Sequence, residues 1–134
     1  MSSRPQSIDQ LETPALLLEQ GQMTRNIARM REQLARLKVG FRPHVKTAKC
    51  IEAALAMTGG APGPVTVSTL READYFADHG FTDILYAVGI TPNKIPHVGA
   101  LLKRGVDLTV ILDSVGAAHA LAEAARASKV TFKA

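Results

Sequence analysis

Arg42, His44 and Lys46 occupy alternate positions in the stretch RPHVKTAK, residues 42–49. An extended chain sends alternate side chains to opposite faces, so these three basic groups are expected on one side and Pro43, Val45 and Thr47 on the other. In a parallel α/β sheet both faces of a strand are normally covered, and a crowded cation there has little water to stabilise its charge. Such an amine is readily neutral, as a nucleophile that forms Schiff bases must be. Lys46 is therefore the candidate reactive amine, and His44, two residues earlier, is expected to face the same site. Lys49 is expected on the following helix, in water.

The elements that position these residues follow from periodicity. Residues 1–12 are expected to be a flexible lead-in and 13–18 (TPALLL) a short strand, with Pro14 suited to a strand start. Over 20–38, Met23, Ile27, Met30, Leu34 and Leu37 form one apolar helical stripe, with Gly40 just beyond as the expected cap. A strand is then expected over 41–46, a helix over 48–58 stopping at Gly59 and Gly60, and a strand over 65–68. Thr69 and Glu72 have capping-box spacing and open a helix that ends at Gly80. Strands at 83–88 and 108–112 follow, separated by a helix that begins at Thr91-Pro92 and ends at Gly105. Asp113 and Ser114 cap an alanine-rich helix, and 130–132 begins another strand.

Strands recurring every 20 residues or so between helices imply a parallel sheet with right-handed crossovers. Two closures are open: about half of a TIM-like (β/α)8 barrel, which needs roughly 250 residues when whole, or a small doubly wound sheet. No GxGxxG or P-loop follows any strand, which weakens a nucleotide-binding version of the second. Ligands in either fold gather at the carboxyl ends of strands, where Lys46, Thr47, Ser68, Thr69, Val88, Gly89, Asp113 and Ser114 stand. Ser68, Thr69, Asp113 and Ser114 are read first as helix caps, and Tyr86 as a core aromatic whose hydroxyl finds a local partner. His79, His97 and His119 lie on helices without ligand spacing, so no metal site is legible.

With 46% hydrophobic and 21% charged residues among 134, the composition is that of one globular domain. No apolar run approaches the ~20 residues a membrane span needs, and the polar start lacks a signal-peptide core. The lone Cys50 excludes an internal disulfide, and a cytoplasmic location is expected. The net charge of +4 allows anionic ligands, but aromatic content of 4% without a recognisable nucleic-acid motif argues against nucleic acid.

The combination of TPAL at 13–16, Asn26 in the first long helix, and RPHVKTAKC resembles the N-terminal part of the D-threonine aldolase and D-serine dehydratase family, fold-type III pyridoxal phosphate enzymes related to alanine racemase in their barrel domain. The likeness continues through VSTLREADYFADHGFTDILYAVG and VILDS. It implies a partial barrel domain over 13–134, with Lys46 holding pyridoxal 5'-phosphate as a Schiff base and acting as proton carrier on a D-amino acid. His44 would position or tune the cofactor ring, and Arg42 would add field or bind a neighbouring carboxylate. A divalent metal would assist at the β-hydroxyl, with ligands beyond Ala134 like the phosphate-binding loops and the C-terminal β domain. Ala48 departs from the histidine that family members often carry. Half a barrel also implies either a homo-oligomer or a missing remainder of the chain, and a non-catalytic α/β domain that binds a small anion or a partner stays open as the alternative.

Overall fold

The computed structural model describes residues 7–134. The lead-in carries one 3-10 turn, Ile8–Gln10, capped by Ser7; residues 1–6 lie outside the described part. Helix α1 spans Gln20–Leu37, opening on the Glu19 carboxylate, which accepts the Gly21 and Gln22 N–H groups. It closes at Lys38 in the left-handed region (φ 54), two residues before the glycine expected to do so. No residue of α1 is fully buried, and Met30 and Leu37 of its apolar stripe stay exposed.

The remainder alternates as the periodicity requires. Helix α2 (Ile51–Thr58) stops at Gly59, whose φ of 97 only glycine adopts at no cost. Strand β1 (Val65–Val67), helix α3 (Leu70–Ala77), strand β2 (Asp83–Gly89), helix α4 (Ile95–Lys103), strand β3 (Asp107–Ile111) and helix α5 (Val115–Ser128) follow. A 3-10 turn, Pro92–Lys94, leads into α4.

The three strands pair in parallel in the order β1-β2-β3, with Val65 beside Ile84 and Ile84 beside Leu108. Sequential order with right-handed crossovers puts every helix on one side of the sheet. A doubly wound sheet must reverse its order to place helices on both sides, so this is an arc of barrel. Val65, Val67, Ile84, Tyr86, Leu108 and Val110 are buried in the same core as Phe76, Val98 and Leu101 of the helices. The opposite face is lightly covered: Leu85 and Thr109 are partly buried and Ile111 is 39% exposed.

Three expected strands are reduced or absent. Residues 13–18 form no strand, and Leu16, Leu17 and Leu18 are exposed. The 41–46 strand shrinks to a parallel bridge of His44 with Thr66, held by Thr66 N–H to Pro43 O (2.8 Å) and Val45 N–H to Thr66 O (2.9 Å) before the chain turns. At the other edge, 130–132 forms no strand, and only a bridge of Lys133 with Thr109 follows it.

Candidate functional site

The bridge and the sheet register align His44, Thr66, Leu85, Thr109 and Lys133 in one row. Paired residues of neighbouring strands point the same way, and Val65 and Val67 point at the helices, so this row faces the open side. Val45, next in the chain, turns inward and is 1% exposed. Its carbonyl accepts the Lys49 N–H at 2.9 Å, closing a single turn that presents Lys46 and Thr47 outward at the carboxyl edge of the sheet. His44 and Lys46 are exposed, which corrects the expectation of a buried cation: Pro43 and Val45 take the interior because they are the apolar alternates.

His44 is tethered at both ring nitrogens. Nδ1 accepts the Lys46 backbone N–H (3.3 Å), and Nε2 lies 3.3 Å from Ser68 Oγ. A backbone N–H can only donate, so Nδ1 is the bare nitrogen, and a neutral ring then donates from Nε2 to Ser68. The Lys46 ammonium has no hydrogen-bond or ion-pair partner among the described residues. An exposed primary amine whose residue is bonded through its backbone N–H to an oriented imidazole, at the edge where α/β folds bind ligands, can add to a carbonyl carbon and move a proton.

Glu72 ties this turn to the sheet. Its Oε2 accepts the N–H of Ser68 (2.8 Å) and of Thr69 (3.2 Å), while Thr69 Oγ1 accepts the Glu72 N–H (3.0 Å), completing the capping box read from the sequence. Its Oε1 lies 3.1 Å from Lys49 Nζ. Lys49 is thus neither helical nor merely solvated, as sequence suggested, but left-handed (φ 48) and ion-paired. Burial of Glu72 (7% exposed) raises its carboxyl pKa, but the Ser68 N–H, the Lys49 ammonium and the Thr69 N–H outweigh it and hold the carboxyl below its ordinary range. No spacing rule pairs positions 49 and 72, so the sequence marked Glu72 only as a cap.

Arg42 is not brought to Lys46. Its guanidinium pairs with the Asp83 carboxylate (2.8 Å) and reaches the carbonyls of Val65 and Asp83, the first residues of β1 and β2. That is the amino edge of the sheet, opposite the Ser68 edge where His44 is held. The shared face expected for Arg42, His44 and Lys46 is corrected because the Asp83 carboxylate and the Val65 and Asp83 carbonyls hold the Arg42 guanidinium at that edge. Ser114 Oγ caps α5 by accepting the Ala117 N–H, whereas Asp113 makes no cap; its carboxylate fills the space where a Gly89 Cβ would stand. Buried Tyr86 accepts a hydrogen bond from Lys94 Nζ at 2.8 Å. His97 lies 2.7 Å from Asp74, which Arg104 also contacts.

Among the described residues no three His, Cys, Asp or Glu side chains converge to hold a metal ion, and no helix is long and apolar enough to cross a membrane. The helix amino ends nearest Lys46 are closed by their own side chains, α2 by Cys50 Sγ and α3 by Thr69, as is α5 by Ser114. A cavity of about 680 Å³ between α4 and α5 shares no residue with the Lys46 edge. We assign the site by strand-end geometry and not by cavity size.

The alanine racemase, N-terminal domain family model matches residues 18–134. The chain is 44% identical to D-threo-3-hydroxyaspartate dehydratase of Delftia sp. over 92% of its own length and 32% of that enzyme. It is 34% identical to D-serine dehydratase of Dictyostelium discoideum (86% of this chain, 30% of the relative) and 30% identical to 3-hydroxy-D-aspartate aldolase of Paracoccus denitrificans (79% and 28%). The solved Delftia dehydratase superposes with a TM-score of 0.87. An alanine racemase-like protein of Idiomarina loihiensis, 38% identical, does so at 0.90 over 97% of this chain and 35% of that one. The chain spans about three-tenths of the length of the curated relatives it matches.

Proposed function

Because the chain belongs to the alanine racemase N-terminal domain family, we propose that it is the cofactor-bearing N-terminal portion of a lyase acting on β-hydroxy D-amino acids, with Lys46 carrying pyridoxal 5'-phosphate. The observation that carries this reading is the unpartnered Lys46 amine at the carboxyl edge of the sheet, beside the tethered His44. When bound, pyridoxal phosphate supplies an electron sink for bonds at the amino acid's α-carbon. Lys46 Nζ would hold the cofactor and, as a free amine, would take or return the α-proton. His44, fixed by Ser68 and by the Lys46 N–H, sets the orientation of its ring toward the cofactor. Arg42 stands apart from the cofactor, at the opposite edge of the sheet, paired with Asp83.

The described residues fit the amine end of the cofactor and offer no open helix terminus near Lys46 for its phosphate. They do not fit a divalent metal, because no three His, Cys, Asp or Glu side chains among them converge. A cytoplasmic location and self-association belong to the same proposal, supported by the lone free thiol and by the open sheet face. The test is to add pyridoxal phosphate, reduce with borohydride and map the modified peptide. One pyridoxyl group at Lys46 is expected; capture at another lysine overturns the assignment. A second reading, a domain that binds the cofactor without turnover, is favoured by the helix ends near Lys46 being closed by their own side chains among the described residues. It predicts capture at Lys46 together with no consumption of D-serine, D-threonine or D-threo-3-hydroxyaspartate when divalent metal is supplied.

A further inference from the structure

We propose that Lys49 and Glu72 form a clasp that positions the Lys46 amine for cofactor attachment, an inference that rests on the reading of Lys46 as the carrier. A capping box needs one carboxylate oxygen of Glu72, and Oε2 alone serves the Ser68 and Thr69 N–H groups. Oε1 is spent on Lys49, which belongs to a different element, three residues past Lys46. The turn between them is closed by the Lys49 N–H on Val45 O, and Lys49 holds a left-handed backbone that a non-glycine residue keeps only when its surroundings impose it. The ion pair accompanies it here: the Glu72 side chain is 9% exposed, so the ammonium meets a carboxylate fixed on α3.

The same carboxylate reaches the second residue of the site. By holding the Ser68 N–H it fixes the backbone whose hydroxyl meets His44 Nε2. Glu72 therefore controls both sides of the amine, the turn through Lys49 and the imidazole through Ser68, without touching the reacting atoms. Lys49 and Glu72 are positioning residues.

The test compares the wild-type chain with Lys49→Met, which removes the ammonium, and Lys49→Arg, which restores a cation of similar reach. Two quantities are read: amide hydrogen exchange of the Lys49 N–H, and the pyridoxal phosphate concentration that half-saturates borohydride capture at Lys46. For Lys49→Met, faster exchange and a half-saturating concentration raised about tenfold are expected, the loss of one charge-assisted hydrogen bond. Lys49→Arg is expected to recover both, and the core's melting transition to stay in place in all three. Wild-type capture with an unchanged half-saturating concentration in Lys49→Met overturns this proposal alone, as does unchanged exchange. A wild-type chain that captures nothing at Lys46 overturns the proposed function with it.

Discussion

The ionisation of Glu72 is coupled to folding. Its folded-state pKa lies below the ordinary carboxylate value, so the folded chain binds its proton less readily than the unfolded chain. The stabilisation is fully present above the ordinary value of 4.5 and is lost as the pH falls through the lower folded value. In Glu72→Gln the neutral amide can still accept a backbone N–H but no longer titrates. Chemical denaturation across the acid range is expected to show a shallower loss of stability in that variant, and an unchanged acid slope would place the titration elsewhere. Arg42 makes a contrasting case, because its pair with Asp83 is half-exposed and counts for little. Arg42→Met should cost about 1 kcal/mol or less in urea denaturation and leave capture at Lys46 unchanged; a loss of capture would return Arg42 to the cofactor site. Of the three basic residues the sequence grouped, His44 and Lys46 stay adjacent, the Lys46 N–H bonded to the His44 ring. Arg42 does not join them, since no spacing rule reports the Asp83 carboxylate that holds it at the other edge.

At the scale of elements, the helices that were legible are those that carry their own punctuation. Thr69 with Glu72 and Ser114 mark helix starts through side-chain oxygens, and Gly59 marks an end through its positive φ. Thr69→Ala should cost about 1 kcal/mol, read as a shifted denaturation midpoint; a neutral result would mean that Glu72 alone closes the end of α3. Residues 13–18 show why apolar runs mislead: TPALLL has strand chemistry, but a strand exists only with a partner to accept its hydrogen bonds, and none of the described residues provides one. The same holds at 130–132, where the single bridge of Lys133 to Thr109 that follows is all the ladder available. Parallel strands were easier to place than their ends because Val65, Ile84 and Leu108 are buried apolar residues in register, and burial is what periodicity reports.

For the whole molecule, the consequence of one-sided helix packing is an arc of sheet whose second face is thinly covered. Leu85 and Ala87 are only partly buried on β2, and Ile111 on β3 is 39% exposed. Sheet faces and edges of this kind are surfaces that proteins in solution cover by pairing with something. Self-association of the isolated chain is therefore expected, with a light-scattering mass above that of the 14.3 kDa monomer that grows with concentration. Ile111→Lys puts a charge on that face at a position where little burial is lost, so stability should change by no more than about 0.5 kcal/mol while the scattering mass falls toward the monomer. A chain that stays monomeric at every concentration, before and after this substitution, would mean that the open face is covered from within. A variant that still associates would move the contact to the edges marked by His44 and Lys133, where a pairing strand needs no apolar side chain at all.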